Sequence, residues 1–464
     1  MHSRRLVALV GCAAILVGAC ASSASPAPST ADSAAPSSGA ATAAPSPSAP
    51  SLAGEKITVF TIHDTQFDYY ADQIKQFTED TGIEVDYQQA PEDGYVDQLL
   101  VKMGAKDDTF DVFFYNNRKT RELNALNPME PLDAYLANTA LTPADYDYAD
   151  IAPSFQDICT VDGKTYCASI LGAGILLMYN KDHFAEAGIS APPATTDELV
   201  ADALKLKTAD HAGFCMRAAA GPNVFPFTRW WGQYSKYFDN QRGLWFNEDW
   251  VPQVNTPETI AAVKSYVEAL SKGGPKGIEA YGFDTCLADF QQGKLSMWLD
   301  DGVFVSDLEN PDASKVVGKV GYAAMDCAPV NPDNCVTSAP WAGFINGSSK
   351  HKDAAWVFLN YFTSPKMQQQ IVDAGKLAVP ARLSTYESAT MKESLPADFL
   401  PAFSYGLAHA NGAYKVLIEQ EGEVSTIMGE ALSKALSGQA TVEDALAEAQ
   451  TKIETVARDA GLLK

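Results

Sequence analysis

The segment KITVFTIHDTQFDYYADQIKQFTEDTGIEVDYQQ, residues 56–89, decides the fold class. Its first seven residues are mostly apolar or β-branched, which is typical of a buried strand. Tyr70, Ile74 and Phe77 follow at the spacing of one helix face, and the last seven residues predict a second strand. A strand, a helix and a strand at this spacing predict parallel strands with a helix on the face of the sheet.

The same alternation continues and places polar residues where two strands end. A second helix is predicted at YVDQLLVKMGAK (95–106) and a third strand at FDVFFYN (110–116). In such α/β sheets, ligands bind beyond the carboxyl ends of the strands. The residues at those ends are His63 and Asp64 after the first strand, and Tyr115, Asn117 and Arg118 at the third.

Residues 1–19 have the three parts of an export signal. Arg4 and Arg5 precede an apolar run at residues 6–17, and two small residues follow it. The run is shorter than the roughly 20 residues needed to cross a bilayer. The sequence VGAC at 17–20 resembles the lipobox of bacterial lipoproteins, in which the cysteine is acylated and becomes the mature N-terminus. Cys20 is therefore the predicted lipidation site, and the alternative is an ordinary signal peptide with a chance cysteine.

Residues 20–54 are predicted to form a tether behind that cysteine. The stretch 21–51 consists almost entirely of Ala, Ser, Pro and Thr, and lacks aromatic and long apolar side chains. Such a composition buries too little surface to offset the entropy of ordering the chain. The alternative is a low-complexity tail without a function.

Length and charge limit what residues 55–464 can be. A single core stops growing at about 250–300 residues, so two domains are expected. The chain carries 34 basic and 58 acidic residues, a net charge of −24. Such a surface repels nucleic acid and gives no reason to expect an acidic ligand.

Six cysteines outside the signal region point to disulfides, because an even number in an exported chain is typical of them. CTVDGKTYC has a central Asp-Gly, so Cys159 and Cys167 can face each other across a hairpin. CAPVNPDNC closes Cys327 and Cys335 around a turn. Cys215 and Cys286 pair by elimination, although six cysteines allow 15 pairings. The rival interpretation is a metal site, which the lack of a CxxC motif disfavours.

No motif of a catalytic or cofactor site occurs in the sequence. GxSxG, HExxH, the P-loop and GxGxxG are missing, and the six histidines have no metal-ligand spacing. Asp300 and Asp301 are adjacent, and neighbouring side chains usually point in different directions, which disfavours an acid/base dyad. We therefore expect no cofactor, no metal and no enzymatic activity.

Four stretches of the sequence carry a resemblance to a known family. They are DGKTYCASI with LLMYNKDHFAEAGISAPPATTDEL (162–199), FQQGKLSMWLDDG (290–302), NGSSKHKDAAWVFLNYFTSP (346–365) and ALSGQATVEDALAEAQTKI (435–453). In this order they resemble the solute-binding proteins of ABC sugar importers, the family that includes the maltose-binding protein. MWLDDGVFVSDLENPDASKVVGKVGYAA and PWAGFINGSSK are most similar to its polyol and monosaccharide binders.

The resemblance implies two α/β lobes joined by a hinge, with the ligand between them. We expect one lobe at 55–171 plus 337–380 and the other at 172–336 plus 381–464. Hinge closure would bury the ligand, and the closed form is what the membrane permease would recognise. The resemblance therefore implies a monomeric receptor, exported and lipid-anchored at the outer face of the cytoplasmic membrane.

Sugars and polyols are bound by aromatic faces and by paired hydrogen bonds from charged or amide groups. Where relatives stack an aromatic ring, this sequence has Tyr115, followed by Asn117 at the strand end and by Arg118 and Lys119 at the next polar positions. The further candidates matched by the resemblance are Phe225, Asp300, Asp301 and Trp341. For each of them, a structural role in the sheet, core or a turn is the alternative.

Other candidates have stronger alternatives. Trp230 and Trp231 are adjacent and cannot both face the cleft, so at least one belongs to the core. His63 and Asp64 can equally cap a helix. The remaining candidates are Arg217 and Arg382.

The sequence is thus interpreted as a receptor that delivers a sugar or polyol to an ABC permease. The same fold would also suit another small solute, such as an amino-sugar, an oligosaccharide or an osmolyte. A secreted carbohydrate hydrolase is disfavoured, because it needs two carboxylates about 5–10 Å apart across the cleft. A surface adhesin or sensor that uses the same cleft is a third alternative.

Overall fold

A computed structural model of the chain describes most of the sequence beyond the tether. The described residues are 52–63, 65–116, 120–172, 174–236, 242–333, 335–338, 340–377, 379–411, 414 and 416–464. The predictions for Cys20, Asp64, Asn117, Arg118 and Lys119 lie outside these residues. Among the described residues, no helix is long and apolar enough to cross a membrane.

The N-terminal part confirms the predicted alternation of strands and helices. Seven residues of the first strand pair in parallel with the second strand, and the third strand pairs on its other side. The second strand begins one residue later than predicted, at Glu84. The elements are β1 (Lys56–Ile62), α1 (Thr65–Thr81), β2 (Glu84–Ala90), α2 (Glu92–Gly104), β3 (Val112–Asn116), α3 (Thr120–Leu126), α4 (Asp133–Leu136) and α5 (Pro153–Cys159).

The chain then turns through a short hairpin and passes into a second sheet. Asp162 and Gly163 have positive φ angles at the hairpin tip, a conformation that glycine adopts without strain. The elements are β4 (Thr160–Val161), β5 (Lys164–Thr165), β6 (Cys167–Leu171), β7 (Ile175–Asn180), α6 (Lys181–Glu186), α7 (Thr196–Leu206), α8 (Val224–Trp231), α9 (Pro257–Glu268), α10 (Phe283–Gln291), β8 (Met297–Asp301), α11 (Val305–Leu308) and β9 (Val320–Ala323). The second sheet has the order β8-β7-β9 and is antiparallel.

The rest of the chain returns to the first sheet and adds helices. The elements are β10 (Val336–Thr337), β11 (Trp341–Ile345), α12 (Lys352–Phe362), α13 (Pro365–Asp373), α14 (Ala389–Ser394), α15 (Phe399–Ala408), β12 (Ala410–Asn411), α16 (Glu421–Leu436) and α17 (Val442–Asp459). β11 lies between β3 and β6 and is antiparallel to both. The first sheet, β2-β1-β3-β11-β6, is therefore mixed, whereas the N-terminal pattern alone predicted parallel pairing.

Caps and apolar stripes explain several helix positions. Thr256 caps α9, and Pro257 occupies its first turn, as the sequence predicted. Thr441 accepts a hydrogen bond from the backbone N–H of Asp444 at the start of α17. The apolar stripe of α17 is buried through residues such as Leu446 and Ile453, so it is a packing face.

The three predicted disulfides are confirmed. Cys159 bonds to Cys167 across the hairpin, and Cys327 bonds to Cys335 around its turn. Cys215, which precedes α8, bonds to Cys286 in α10. Among the described residues, no group of three or more His, Cys, Asp or Glu side chains is arranged to hold a metal ion.

Candidate ligand-binding site

The facing edges of the two sheets are joined by residues 172–174. Leu171, the last residue of β6, pairs with Trp341 of β11. Ile175, the first residue of β7, pairs with Asp301 of β8. Trp341 and Asp301 therefore lie at opposite ends of a very short connection. The edges that carry the predicted ligand residues are neighbours in space.

A second chain segment runs beside this connection. The backbone N–H of Gly172 donates to the carbonyl of Val379 at 2.6 Å, and Leu171 forms an isolated bridge with Pro380. The phenol of Tyr386 donates to the carbonyl of Pro380 at 2.6 Å. Two segments thus pass side by side between the sheets, which is the arrangement that a hinge requires.

Aromatic rings line the edge of the first sheet. The ring centre of Trp341 lies 5.7 Å from that of Tyr115 in an edge-to-face contact, and 5.9 Å from that of Phe67. Tyr115 is buried, whereas Trp341 is only partly buried. Trp341 therefore retains surface for stacking against a ligand, and Tyr115 supports its ring.

His63 lies just beyond β1 at the same edge. Its side chain is exposed, and its Nδ1 is 2.7 Å from a carboxylate oxygen of Asp68 in α1. The backbone N–H of His63 donates to the carbonyl of Ala90, the last residue of β2. The imidazole is thus tethered to the first helix turn but remains accessible.

The facing edge of the second sheet, at the end of β8, carries a buried ion pair. Arg217 Nε donates to both carboxylate oxygens of Asp300 at 2.9 and 3.1 Å, and Nη2 donates to Oδ1 at 2.6 Å. The Asp300 side chain has no exposed surface, whereas Arg217 is partly exposed. Both oxygens of Asp300 are therefore engaged by Arg217.

Two phenylalanine rings hold the guanidinium in place. Its carbon atom lies 5.1 Å from the ring centres of both Phe225 and Phe283. Phe225 comes from α8 and Phe283 opens α10. Stacking on aromatic rings suits the planar guanidinium and fixes its orientation.

Asp301 is buried beside the ion pair but is bonded differently. Its Oδ1 accepts hydrogen bonds from the backbone N–H groups of Gly174 at 3.3 Å and Val303 at 3.1 Å. No Lys, Arg or His among the described residues lies within ion-pair distance of it. Burial, aided by the neighbouring charge of Asp300, raises the pKa of Asp301 to about 7, although the Val303 N–H and Arg217 oppose the shift.

Three predicted residues lie away from the sheet edges. Trp230 and Trp231 are 1% and 0% exposed, and Trp231 Nε1 donates to Thr259 Oγ1 at 2.9 Å. Both tryptophans therefore belong to the core. The sequence predicted a core position for at least one of the two. Arg382 is also fully buried and donates to the carbonyls of Thr363 and Asp147 at 2.7 and 2.6 Å. Arg382 therefore links two backbone segments, so its role in this structure is structural and it does not reach the sheet edges.

Sequence reasoning missed Phe283 and Tyr386. Phe283 precedes Cys286 by three residues, and Arg217 follows Cys215 by two. The predicted Cys215–Cys286 disulfide was therefore enough to predict that Phe283 lies near Arg217. Tyr386 has no such signal, because only the tertiary fold places it near Asp301. Burial of the phenol, and then the charge of Asp301, raise the pKa of Tyr386.

Comparison with known proteins decides the family. A family profile described as bacterial extracellular solute-binding protein matches residues 61–369, which is more than half of the chain. The chain belongs to this family. This solute-binding protein is therefore a receptor of the kind that serves ABC transporters, not an enzyme, as the sequence predicted.

Individual relatives agree with this assignment. A mannitol-binding protein of Pseudomonas aeruginosa is 31% identical over 69% of this chain and 76% of its own length. A probable amino-acid ABC transporter periplasmic-binding protein of Sinorhizobium fredii is 27% identical over 89% of this chain and 91% of its own. Both span most of the folded region.

A solved structure gives the architecture. An ABC transporter solute-binding protein of Agrobacterium vitis with bound D-mannitol aligns with a TM-score of 0.75 and 28% identity, over 88% of this chain and 99% of that one. The predicted two-lobed α/β fold of this solute-binding protein is thereby confirmed.

Proposed function

We propose that this solute-binding protein captures a polyol or monosaccharide between the facing sheet edges and delivers it to an ABC permease. The observation that carries the proposal is the pairing register, which places Trp341 and Asp301 at opposite ends of residues 172–174. An aromatic face on one side and a fixed guanidinium, that of Arg217, on the other suit a ligand with C–H faces and neighbouring hydroxyls.

Two mannitol binders among the relatives and solved structures support the polyol class. The relative named for amino acids favours a second candidate, a receptor for an amino acid. The two candidates differ in charge, because a polyol is neutral whereas an amino acid carries both an ammonium and a carboxylate.

The first edge would supply further contacts to the ligand. His63 is placed at that edge, and we propose the same role for Asp64, Asn117, Arg118 and Lys119, which adjoin β1 and β3 in the sequence. We also propose the lobe boundaries expected from the sequence, 55–171 plus 337–380 and 172–336 plus 381–464.

We propose that Cys20 carries a lipid and that residues 21–54 tether the receptor to the outer face of the cytoplasmic membrane. The support is the lipobox-like VGAC sequence and the composition of the following stretch. Anchoring would raise the local concentration of the receptor at its permease.

A ligand screen tests the proposed function. Melting temperatures are measured with mannitol, ribitol, glucose, maltose and a set of amino acids, and positive results are followed by calorimetric titration. A ligand at about 100 times its Kd stabilises the protein by roughly 2.7 kcal/mol. Stabilisation by alditols or monosaccharides supports the proposal, whereas stabilisation by amino acids alone would replace it with the second candidate.

A further inference from the structure

Within the described part of the chain, the charges at the edge of the second sheet do not balance. Two carboxylates, Asp300 and Asp301, are buried next to each other, and Arg217 pairs with Asp300. The other titratable group facing Asp301 is the phenol of Tyr386, from the turn Leu383–Glu387. Among the described residues, Asp301 therefore has no cation of its own.

One oxygen of Asp301 is left for another partner. The backbone N–H groups of Gly174 and Val303 both donate to Oδ1, and no described hydrogen bond reaches Oδ2. Asp301 is 8% exposed, whereas Asp300 has no exposed surface. The carboxylate with the unused oxygen is thus the one that solvent, and hence a ligand, can reach.

Burying a carboxylate without a cation costs free energy, and two events would relieve most of that cost. One is protonation, which the raised pKa of about 7 makes accessible near neutral pH. The other is arrival of a positive charge. A ligand ammonium group would bring that charge to Oδ2 and form a charge-assisted hydrogen bond in a poorly hydrated site.

We propose that the cleft also accepts amino-polyols and amino sugars, with the ligand ammonium paired to the Asp301 carboxylate. This inference rests on the proposed function, because the hydroxyls of such a ligand would occupy the same polar and aromatic contacts as those of a neutral polyol. In its protonated form, Asp301 instead donates a hydrogen bond to a neutral hydroxyl. The protonation state of one carboxyl therefore decides how well an ammonium ligand binds, whereas a neutral hydroxyl can form a hydrogen bond with either form.

The pH dependence of this selection has a definite sign. An ammonium ligand needs ionised Asp301, so its affinity rises with pH below the pKa of Asp301 and levels off above it for as long as the ligand amine keeps its proton. Below that pKa the rise is about tenfold per pH unit, because the ionised fraction changes by that factor. The affinity of a neutral polyol stays level or falls over the same range.

The experiment is calorimetric titration of the full chain with mannitol, 1-amino-1-deoxymannitol and glucosamine from pH 5.5 to 8.5. We expect at least one amine to bind about tenfold or more tightly at pH 8 than at pH 6, while mannitol shows no such gain. Asp301→Asn keeps the oxygen that accepts from Gly174 and Val303 but removes the charge, so it should abolish the gain. The matched control is Asp312→Asn, at an exposed loop aspartate.

The outcomes separate the two proposals. If neither mannitol nor any other polyol or monosaccharide binds the wild-type protein, the proposed function fails and this inference fails with it. If mannitol binds but the amines bind no better at pH 8 than at pH 6, only the inference is overturned. Because that comparison uses the wild-type protein, it holds even if Asp301→Asn does not fold.

Discussion

Arg217 and Asp300 form a forked ion pair in which Nε and Nη2 of the guanidinium donate to the carboxylate at 2.6–3.1 Å. The guanidinium also contacts two aromatic rings, because its carbon atom lies 5.1 Å from the ring centres of both Phe225 and Phe283. A group that is already ordered loses little entropy on binding, so its contacts contribute more to affinity. The adjacent carboxylates thus differ: Asp300 orients Arg217, whereas Asp301 has no cationic partner among the described residues.

Asp300→Asn should impair both stability and binding. Removing one partner of a buried ion pair leaves the other charge uncompensated and costs about 3–5 kcal/mol. Urea denaturation would measure this loss, and titration with the ligand identified by the screen would measure binding. Arg217→Lys is the companion variant, because it keeps the charge but cannot make the forked contact. We expect it to weaken binding with a smaller loss of stability. An Asp300→Asn protein as stable as the wild type would contradict the structural role assigned to the pair.

Trp341→Ala should weaken ligand binding while the protein remains folded. Trp341 is partly exposed at the start of β11, and its ring packs on Tyr115 and Phe67, so its removal should cost some stability without unfolding the sheet. Stacking is worth about 0.5–1.5 kcal/mol beyond the buried area, so a loss of about tenfold in affinity is expected. Trp231→Phe is the matched control: it removes a buried donor to Thr259 and should lower the melting temperature without a comparable loss of affinity. Equal affinities for Trp341→Ala and the wild type would remove Trp341 from the site.

The Cys215–Cys286 disulfide should matter more than the Cys327–Cys335 disulfide. The two bonds join residues 71 and 8 positions apart, and a longer loop restricts the unfolded chain more. In the chain-entropy model this corresponds to about 4 and 2.5 kcal/mol of stability. Paired Cys→Ala variants compared by urea denaturation would measure the difference.

The same pair of variants tests a link to the ligand site. Of these two disulfides, only Cys215–Cys286 joins the segments that carry Arg217 and Phe283. Its removal, but not that of Cys327–Cys335, should therefore lower ligand affinity. If both variants bind the ligand as the wild type does, the disulfide stabilises the fold without positioning the guanidinium.

Local patterns in the sequence predicted the parts of the fold that local physics determines. The strand–helix–strand order of residues 56–116 follows from apolar periodicity, and two disulfides follow from cysteines that flank short turns. β11 could not be placed in the same way, because it enters between β3 and β6 from at least 170 residues further along the chain. Nothing in its own sequence encodes that neighbourhood.

The site was predictable by residue type but not by role. Asp300 and Asp301 are identical in chemistry and adjacent in sequence, and only the tertiary fold gives one a cation and leaves the other without. Trp230 and Trp231 follow polar residues in the sequence, yet both are buried because α8 packs against α9 and the second sheet. Such distinctions depend on contacts between distant segments.

Cys20→Ala should release the receptor from the membrane without affecting the folded region. The predicted lipid anchor and tether precede residue 55, whereas the ion pair, the sheet edges and the three disulfides all lie beyond it. Fractionation of cells that express the wild-type and variant chains would measure the change, and titration would show unaltered ligand affinity. Retention of the variant in the membrane fraction would contradict the anchor.

His183 should make the protein less stable in mildly acidic solution. Its ring stacks on that of His211 with centres 3.8 Å apart, and Nδ1 of each ring lies within 3.0 Å of Ser296 Oγ. Burial first, and then the neighbouring His211, lower the pKa of His183 to about 4, with Asp182 opposing the shift and Lys319 adding to it. In the unfolded chain a histidine takes up a proton near pH 6.5.

The sign of the effect follows from these two values. Between about pH 6.5 and pH 4, His183 binds a proton in the unfolded chain but stays neutral in the folded protein. Acid therefore favours unfolding. The contribution of His183 to stability is complete above about pH 6.5 and is lost progressively as the pH falls toward 4. His183→Gln cannot titrate, so its urea midpoint should fall less between pH 7 and pH 4.5 than that of the wild type. His351→Gln, at a more exposed histidine outside the stacked pair, is the matched control for the loss of an imidazole. Parallel curves for the wild type and His183→Gln would show that the stacked pair does not resist protonation.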